Sequence, residues 1–230
     1  MKGPDIYDVL NGIGATHLHH ANSVTTSCTF LEQGGLLSRS FVEARGLRQT
    51  DQFSDKDDKK YGIWDDIFLD HVDTHGRGGR TKGQNKYGPV LFVFDLKILQ
   101  TLPLSTDVRV TKRNPIHWRD GESTSDWWYE SAAELAADIK LGDFDKMLVV
   151  RTPSHKLNFP NRQAPIFLDD PKRQLSSGED AYRHAENRLR AASATGGIRT
   201  SIQPHSCRGD CVCIQKYAKF TAANFDHYFI

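Results

Sequence analysis

Residues 16–39 read THLHHANSVTTSCTFLEQGGLLSR, and the pattern changes twice within them. Residues 15–19 suit a short strand whose alternation puts Ala15, His17 and His19 on one face. Asn22 or Ser23 then caps a helix in which Val24, Cys28 and Leu31 recur at helical spacing. Gly34 and Gly35 end that helix, because glycine accepts the left-handed backbone of a helix C-terminus. The order strand, capped helix, glycine stop sets a group of histidines at a strand end, just ahead of a helix start.

Outward from this segment the chain mixes strands and helices. Residues 45–62 are polar and without apolar periodicity, which predicts a loop. Residues 63–72, IWDDIFLDHV, suit a short helix or an irregular strand, and 76–88 read as a basic, glycine-rich loop. YGPVLFVFDLKIL, 87–99, holds the clearest strand: Val90 to Phe94 is unbroken apolar, as expected for a strand buried on both faces. VRVTK, 108–112, alternates beside it, and FDKMLVVR, 144–151, suits a second central strand. Residues 125–141 predict a helix with Ala132, Leu135, Ala136 and Ile139 inward. Past Pro153 the pattern is irregular until Ser176 to Glu179, a capping box for a helix to about Ala194 with Ala181, Ala185, Leu189 and Ala192 inward. The final aromatics, Phe220, Phe225, Tyr228 and Phe229, are expected to dock the tail. No repeat is present, and strands do not alternate regularly with helices, so the expected class is α+β.

At 230 residues the chain has room for one large domain or two small ones. Thirty basic residues face 29 acidic ones, so any nucleic-acid surface must be a local patch. No apolar run approaches the roughly 20 residues that span a bilayer, and no membrane partner is expected. MKGPDIYDVL lacks the apolar core of a signal peptide, and the expected setting is a reducing cytoplasm with no required disulfide.

The stretch around His17, His19, Asn22 and GGLLS (34–38), followed by YGPVLFVF and the segment 127–150, resembles the DarT-like ADP-ribosyltransferase toxins that modify nucleic-acid bases. The resemblance covers about residues 13–151. It implies an ADP-ribosyltransferase-like split mixed sheet with flanking helices over residues 1–175, with 176–230 a C-terminal helix and cysteine-containing extension packed on the same domain. It also implies NAD as co-substrate, single-stranded DNA or RNA as acceptor, and a toxin or phage-defence role with a neutralising antitoxin protein. His17, His19 and Asn22 would bind the nicotinamide and ribose, and Arg39, Arg45 or Arg48 the diphosphate, since guanidinium meets phosphate bidentately. Cleavage through an oxocarbenium-like transition state also needs a carboxylate near the ribose. Lys146 stands where the family has glutamate, and the nearby acids are Asp145, ranked first, then Glu130, with Glu134 pointing to solvent. Glu130 follows a Trp-Trp-Tyr cluster, so partial desolvation is expected there. Arg48 joins Asp145 and Glu130 in the expected catalytic set.

Other readings stand beside this one. Histidines at a strand end commonly serve as ordinary hydrogen-bonded groups. Ser123-Thr124-Ser125 is read as a helix cap. Trp127 would stack on a base or pack, with packing favoured. Arg77, Arg80 and Lys82, in a loop segment without acids, suit phosphate contacts. Asp70, His71, Asp73 and His75 would serve a metal-dependent nuclease, although Gly76, Gly78 and Gly79 oppose a helix there. His205, Cys207, Cys211 and Cys213 suit a structural zinc, and with it a non-catalytic nucleic-acid-binding module.

Overall fold

In a computed structural model the chain is described over residues 1–73, 87–143, 146–160, 162–205 and 212–230. The apolar run 90–94 sits at the centre of its sheet. Strand β4 (Val90–Asp95) pairs antiparallel with β1 (His17–Asn22) along its whole length, from His17 opposite Asp95 to Asn22 opposite Val90. Its other edge pairs with β8 (Ile166–Leu168), which pairs in parallel with β9 (Ile202–Pro204). A second sheet has β6 (Leu148–Arg151) between β3 (Ile67–Leu69) and β5 (Asp107–Val110), all antiparallel. β2 (Gly35–Leu37) and β7 (Lys156–Asn158) form a two-stranded ribbon.

The two larger sheets meet at one bridge. His19 N–H donates to the Asp70 carbonyl at 2.7 Å, and Asp70 N–H returns to His19 at 2.8 Å. The histidine strand is thus the seam between them. The class is α+β with a mixed sheet, as expected from the irregular order of elements.

Helix α2 (Val24–Gln33) is capped by Ser23, whose side chain accepts from Thr26 N–H, and ends at Gly34 with φ 74°. α7 (Ala181–Thr195) packs along it, with Ala181, Ala185, Leu189 and Ala192 all buried, as the spacing predicts. The approach is close: a β-carbon on Gly196 would lie 1.9 Å from the Leu31 carbonyl oxygen. α7 is capped by Asp180 rather than Ser176, which bonds Asp226 instead. α8 (Cys213–Ala218) and α9 (Ala222–Phe229) bring Tyr217, Phe225 and Phe229 into the same core as Ile6, Leu18 and Phe92, so the tail docks as expected.

Several elements depart from the sequence reading. α1 (Gly3–Gly12) was not among the expected helices; Pro4 and Asp5 favour its start, and Ile6 and Leu10 form its buried stripe. The polar stretch 45–62 holds α4 (Asp55–Lys60), with acids in its first turn and lysines in its last, an order that complements the helix dipole. A further short helix, α3 (Arg39–Ala44), precedes it. Of the two forms open to residues 63–72, the strand is the one adopted, as β3. The helix expected over 125–141 is two, α5 (Thr124–Trp127) and α6 (Ala132–Asp138). Between them Trp128 bridges Thr111, and Tyr129 N–H donates to the Val110 carbonyl at 3.1 Å. Extending the β5 edge buries both aromatics.

Candidate active site

Alternation along β1 separates the residues expected to share one cofactor site. His17 and His19 lie on one face, and Leu18, His20 and Asn22 on the other. His17 is exposed, and its Nδ1 is 2.9 Å from the Thr16 hydroxyl. His19 has an enclosed Nδ1 with no hydrogen-bond partner among the described residues. Burial lowers its pKa to about 4, against the opposing pull of the Asp73 carboxylate.

His20 is half-buried and held by aromatic rings and hydrogen bonds. Its ring meets Phe30 edge-on at 5.5 Å, and Phe92 lies 6.4 Å away. Its Nδ1 is 2.8 Å from the Phe68 carbonyl oxygen. A carbonyl only accepts, so the proton sits on Nδ1 and the lone pair on Nε2. Asn22 Nδ2 reaches that lone pair at 3.4 Å. The Asn22 carbonyl oxygen in turn accepts from Ser23 N–H at 2.9 Å and from Gln52 Nε2 at 3.5 Å, which fixes the amide orientation. Burial lowers the His20 pKa to about 4, so the imidazole is neutral at pH 7. The chain Gln52, Asn22, His20, Phe68 is a directed hydrogen-bond relay at the seam of the sheets. Neither His20 nor Gln52 was singled out from the sequence. The signal was parity, since Leu18 is the apolar member of the 18, 20, 22 face.

Gly88, two residues before β4, presses on this site. Its φ is +144°, and a β-carbon there would lie 2.2 Å from the Asn22 carbonyl carbon. Residues 48–55 form a strap along α2. Thr29 donates to the Arg48 carbonyl at 2.6 Å, Thr50 N–H to the Thr26 hydroxyl at 2.9 Å, and Ser23 to the Thr50 hydroxyl at 2.6 Å. Arg39 secures the strap, donating to the Thr50 carbonyl and pairing with Asp55 at 2.6 Å. Arg45 lies over the Phe41 ring at 4.2 Å. Arg48 borders a cavity between α2 and α7.

Among the acids, Asp145 lies outside the described residues. Glu130 is exposed, and its N–H donates to Glu134; the desolvation expected there is absent, because Trp127 stacks on Trp118 at 4.7 Å instead. The indole N–H of Trp127 donates to Glu122 at 2.9 Å, so packing is what this residue does. Lys112 pairs with Glu134 at 2.5 Å and holds its carboxyl below the usual range. Ser123 caps α5 together with Asp126.

The rival clusters are divided. The Asp70 carboxylate accepts from Val72 N–H at 3.1 Å, and His71 Nε2 is 3.4 Å from the Lys140 carbonyl. Asp73 pairs with His205 at 3.0 Å, and the other His205 nitrogen is 3.4 Å from Asp169, which accepts from the buried Tyr217 hydroxyl at 2.6 Å. Burial alone would depress His205, but Asp169 and Asp73 outweigh it and raise its pKa to about 9. Cys213 is buried at the start of α8. Among the described residues no group of three His, Cys, Asp or Glu side chains converges as a metal site. His75, Cys207, Cys211, Arg77, Arg80 and Lys82 lie outside the described residues. Among the described residues no helix is long and apolar enough to cross a membrane. No protein-family model matches the chain, and no curated protein matches its sequence.

Proposed function

We propose that the chain is an NAD-dependent ADP-ribosyltransferase whose acceptor is a base of DNA or RNA. The observation that carries this reading is the neutral, tautomer-fixed His20 beside Asn22 on the strand that bridges the two larger sheets. NAD supplies the ADP-ribosyl group when its bond to nicotinamide breaks. Asn22 suits such a ligand, since it keeps a second amide N–H beyond the one facing His20. In this reading His20 orients Asn22 and excludes protonation at the site, and Asn22 holds the ribose or the carboxamide. Asp145 supplies the carboxylate, as the sequence resemblance implies, with Glu130 second. A toxin or phage-defence role, and neutralisation by a partner protein, follow from the same resemblance.

The test is incubation of the pure protein with labelled NAD and separate DNA, RNA and protein pools. Label should pass to one nucleic-acid pool and be lost in Asn22→Ala, with the circular dichroism unchanged. Transfer at the wild-type rate by a folded Asn22→Ala protein would defeat the reading.

A further inference from the structure

Among the described residues five arginines are matched to carboxylates: Arg39, Arg109, Arg113, Arg151 and Arg190. Eight others make no ion pair there, and three of these, Arg48, Arg183 and Arg188, line neighbouring cavities. These three collect along the outer seam of α2 and α7. A cavity of about 400 Å³ on α7 is lined by Arg183, His184, Asn187 and Arg188. A second, of about 190 Å³, is lined by Arg188, Arg48, Cys28 and Glu32, so Arg188 belongs to both. The acids at the first cavity are already engaged. Glu179 meets His184 at 3.0 Å, and Asp180 caps α7 by accepting from Arg183 N–H. Guanidiniums that make no ion pair, beside an open groove whose second cavity also holds the Glu32 carboxylate, suit phosphate oxygens, which they meet through paired N–H donors.

A second observation comes from the strap. Thr50, Asp51, Gln52, Ser54 and Asp55 each hold a hydrogen bond, the Asp51 carbonyl to His227 at 3.1 Å. Phe53, between them, is 100% exposed. A phenyl ring carried in water on a backbone pinned from both sides, next to the residue that touches Asn22, is placed to receive a flat partner. Its exposed faces suit a group that arrives from solution, and stacking on an aromatic ring is open to any base.

We infer that single-stranded nucleic acid binds along the α2–α7 seam, its phosphates on Arg188, Arg183 and Arg48 and a base on Phe53. The inference deepens the proposed function by giving the acceptor a route to the site, and it rests on that reading. It is tested without NAD, by fluorescence anisotropy of a short fluorescein-labelled oligothymidylate between about 50 and 200 mM salt. Arg183→Gln with Arg188→Gln should weaken binding and flatten the slope of log affinity against log salt by about 1.4, at about 0.7 per phosphate contact. Phe53→Ala should weaken binding about 5- to 150-fold with the slope unchanged, and Phe53→Trp should restore it. Should the double variant unfold, Arg183→Gln alone, at an exposed position, should flatten the slope by about 0.7. Wild-type affinity and slope in the folded arginine variants, or wild-type affinity in Phe53→Ala, overturns the inference. NAD binding by calorimetry separates the two failures: NAD bound without seam-dependent oligonucleotide binding leaves the proposed function standing and removes this route.

Discussion

Lowering the pH should weaken the fold through His20, and the size of the effect follows from its surroundings. The free imidazole titrates near 6.5, whereas burial holds His20 near 4. Above pH 6.5 folded and unfolded chains are both neutral at this residue. Between 6.5 and 4 the unfolded chain takes up a proton that the folded one refuses. Stability is therefore present above pH 6.5 and lost as the pH falls towards 4, by about 3 kcal/mol at about 1.36 kcal/mol per pH unit. Other groups titrate over the same range, Asp58 among them, which burial pushes up to about 7. The informative quantity is thus the difference between wild type and His20→Gln, whose amide does not titrate. At pH 7 the variant should be less stable by about 1–3 kcal/mol, since the Phe68 carbonyl and Asn22 lose a well-placed partner. By pH 4 the gap should close or reverse. Urea unfolding across this range measures it. A gap that stays constant from pH 7 to pH 4 would show that His20 is not held neutral by burial, and the tautomer argument would fail with it.

Other residues give independent checks. The Asp66 side chain is fully buried between Arg109 at 3.1 Å and Arg151 at 2.6 Å, whose own side chains stay partly exposed, so Asp66→Ala should cost about 1–3 kcal/mol in urea unfolding. Gly88→Ala would force a β-carbon to 2.2 Å from the Asn22 carbonyl carbon; transfer from NAD should fall about 100-fold, a larger loss than any drop in melting temperature explains. His205, raised to about 9, contributes about 3 kcal/mol that is present below pH 6.5 and lost as the pH rises through 9. His205→Gln should accordingly flatten the decline in stability between pH 6.5 and 9.

The elements legible in the sequence were those with a strong period or a hard stop. The unbroken run Val90 to Phe94, the Ser23 cap with its Gly34 stop, and the alanine-leucine stripe of α7 needed little tertiary context. Three-residue strands such as β7, β8 and β9 have too few residues to show a period. The break at Trp128 was hidden because its cause, an open edge of β5, lies about twenty residues upstream in sequence. At the site, the histidine cluster itself was visible. Its division into two faces was also written in the sequence, in Leu18, yet which histidine is enclosed depends on Phe30, Phe68 and Phe92 from three other elements. Gln52 and the strap were unreadable, since their hydrogen bonds run to β1 and α2 across 30 and 24 residues.

The most direct test of the account is transfer of label from NAD to nucleic acid by wild type, His17→Ala, His20→Gln and Asn22→Ala, each shown to be folded. The account predicts that label reaches DNA or RNA, that exposed His17 is largely dispensable, and that loss of His20 or Asn22 abolishes transfer. No transfer to any nucleic-acid pool, or transfer that survives in a folded His20→Gln or Asn22→Ala variant, would contradict it.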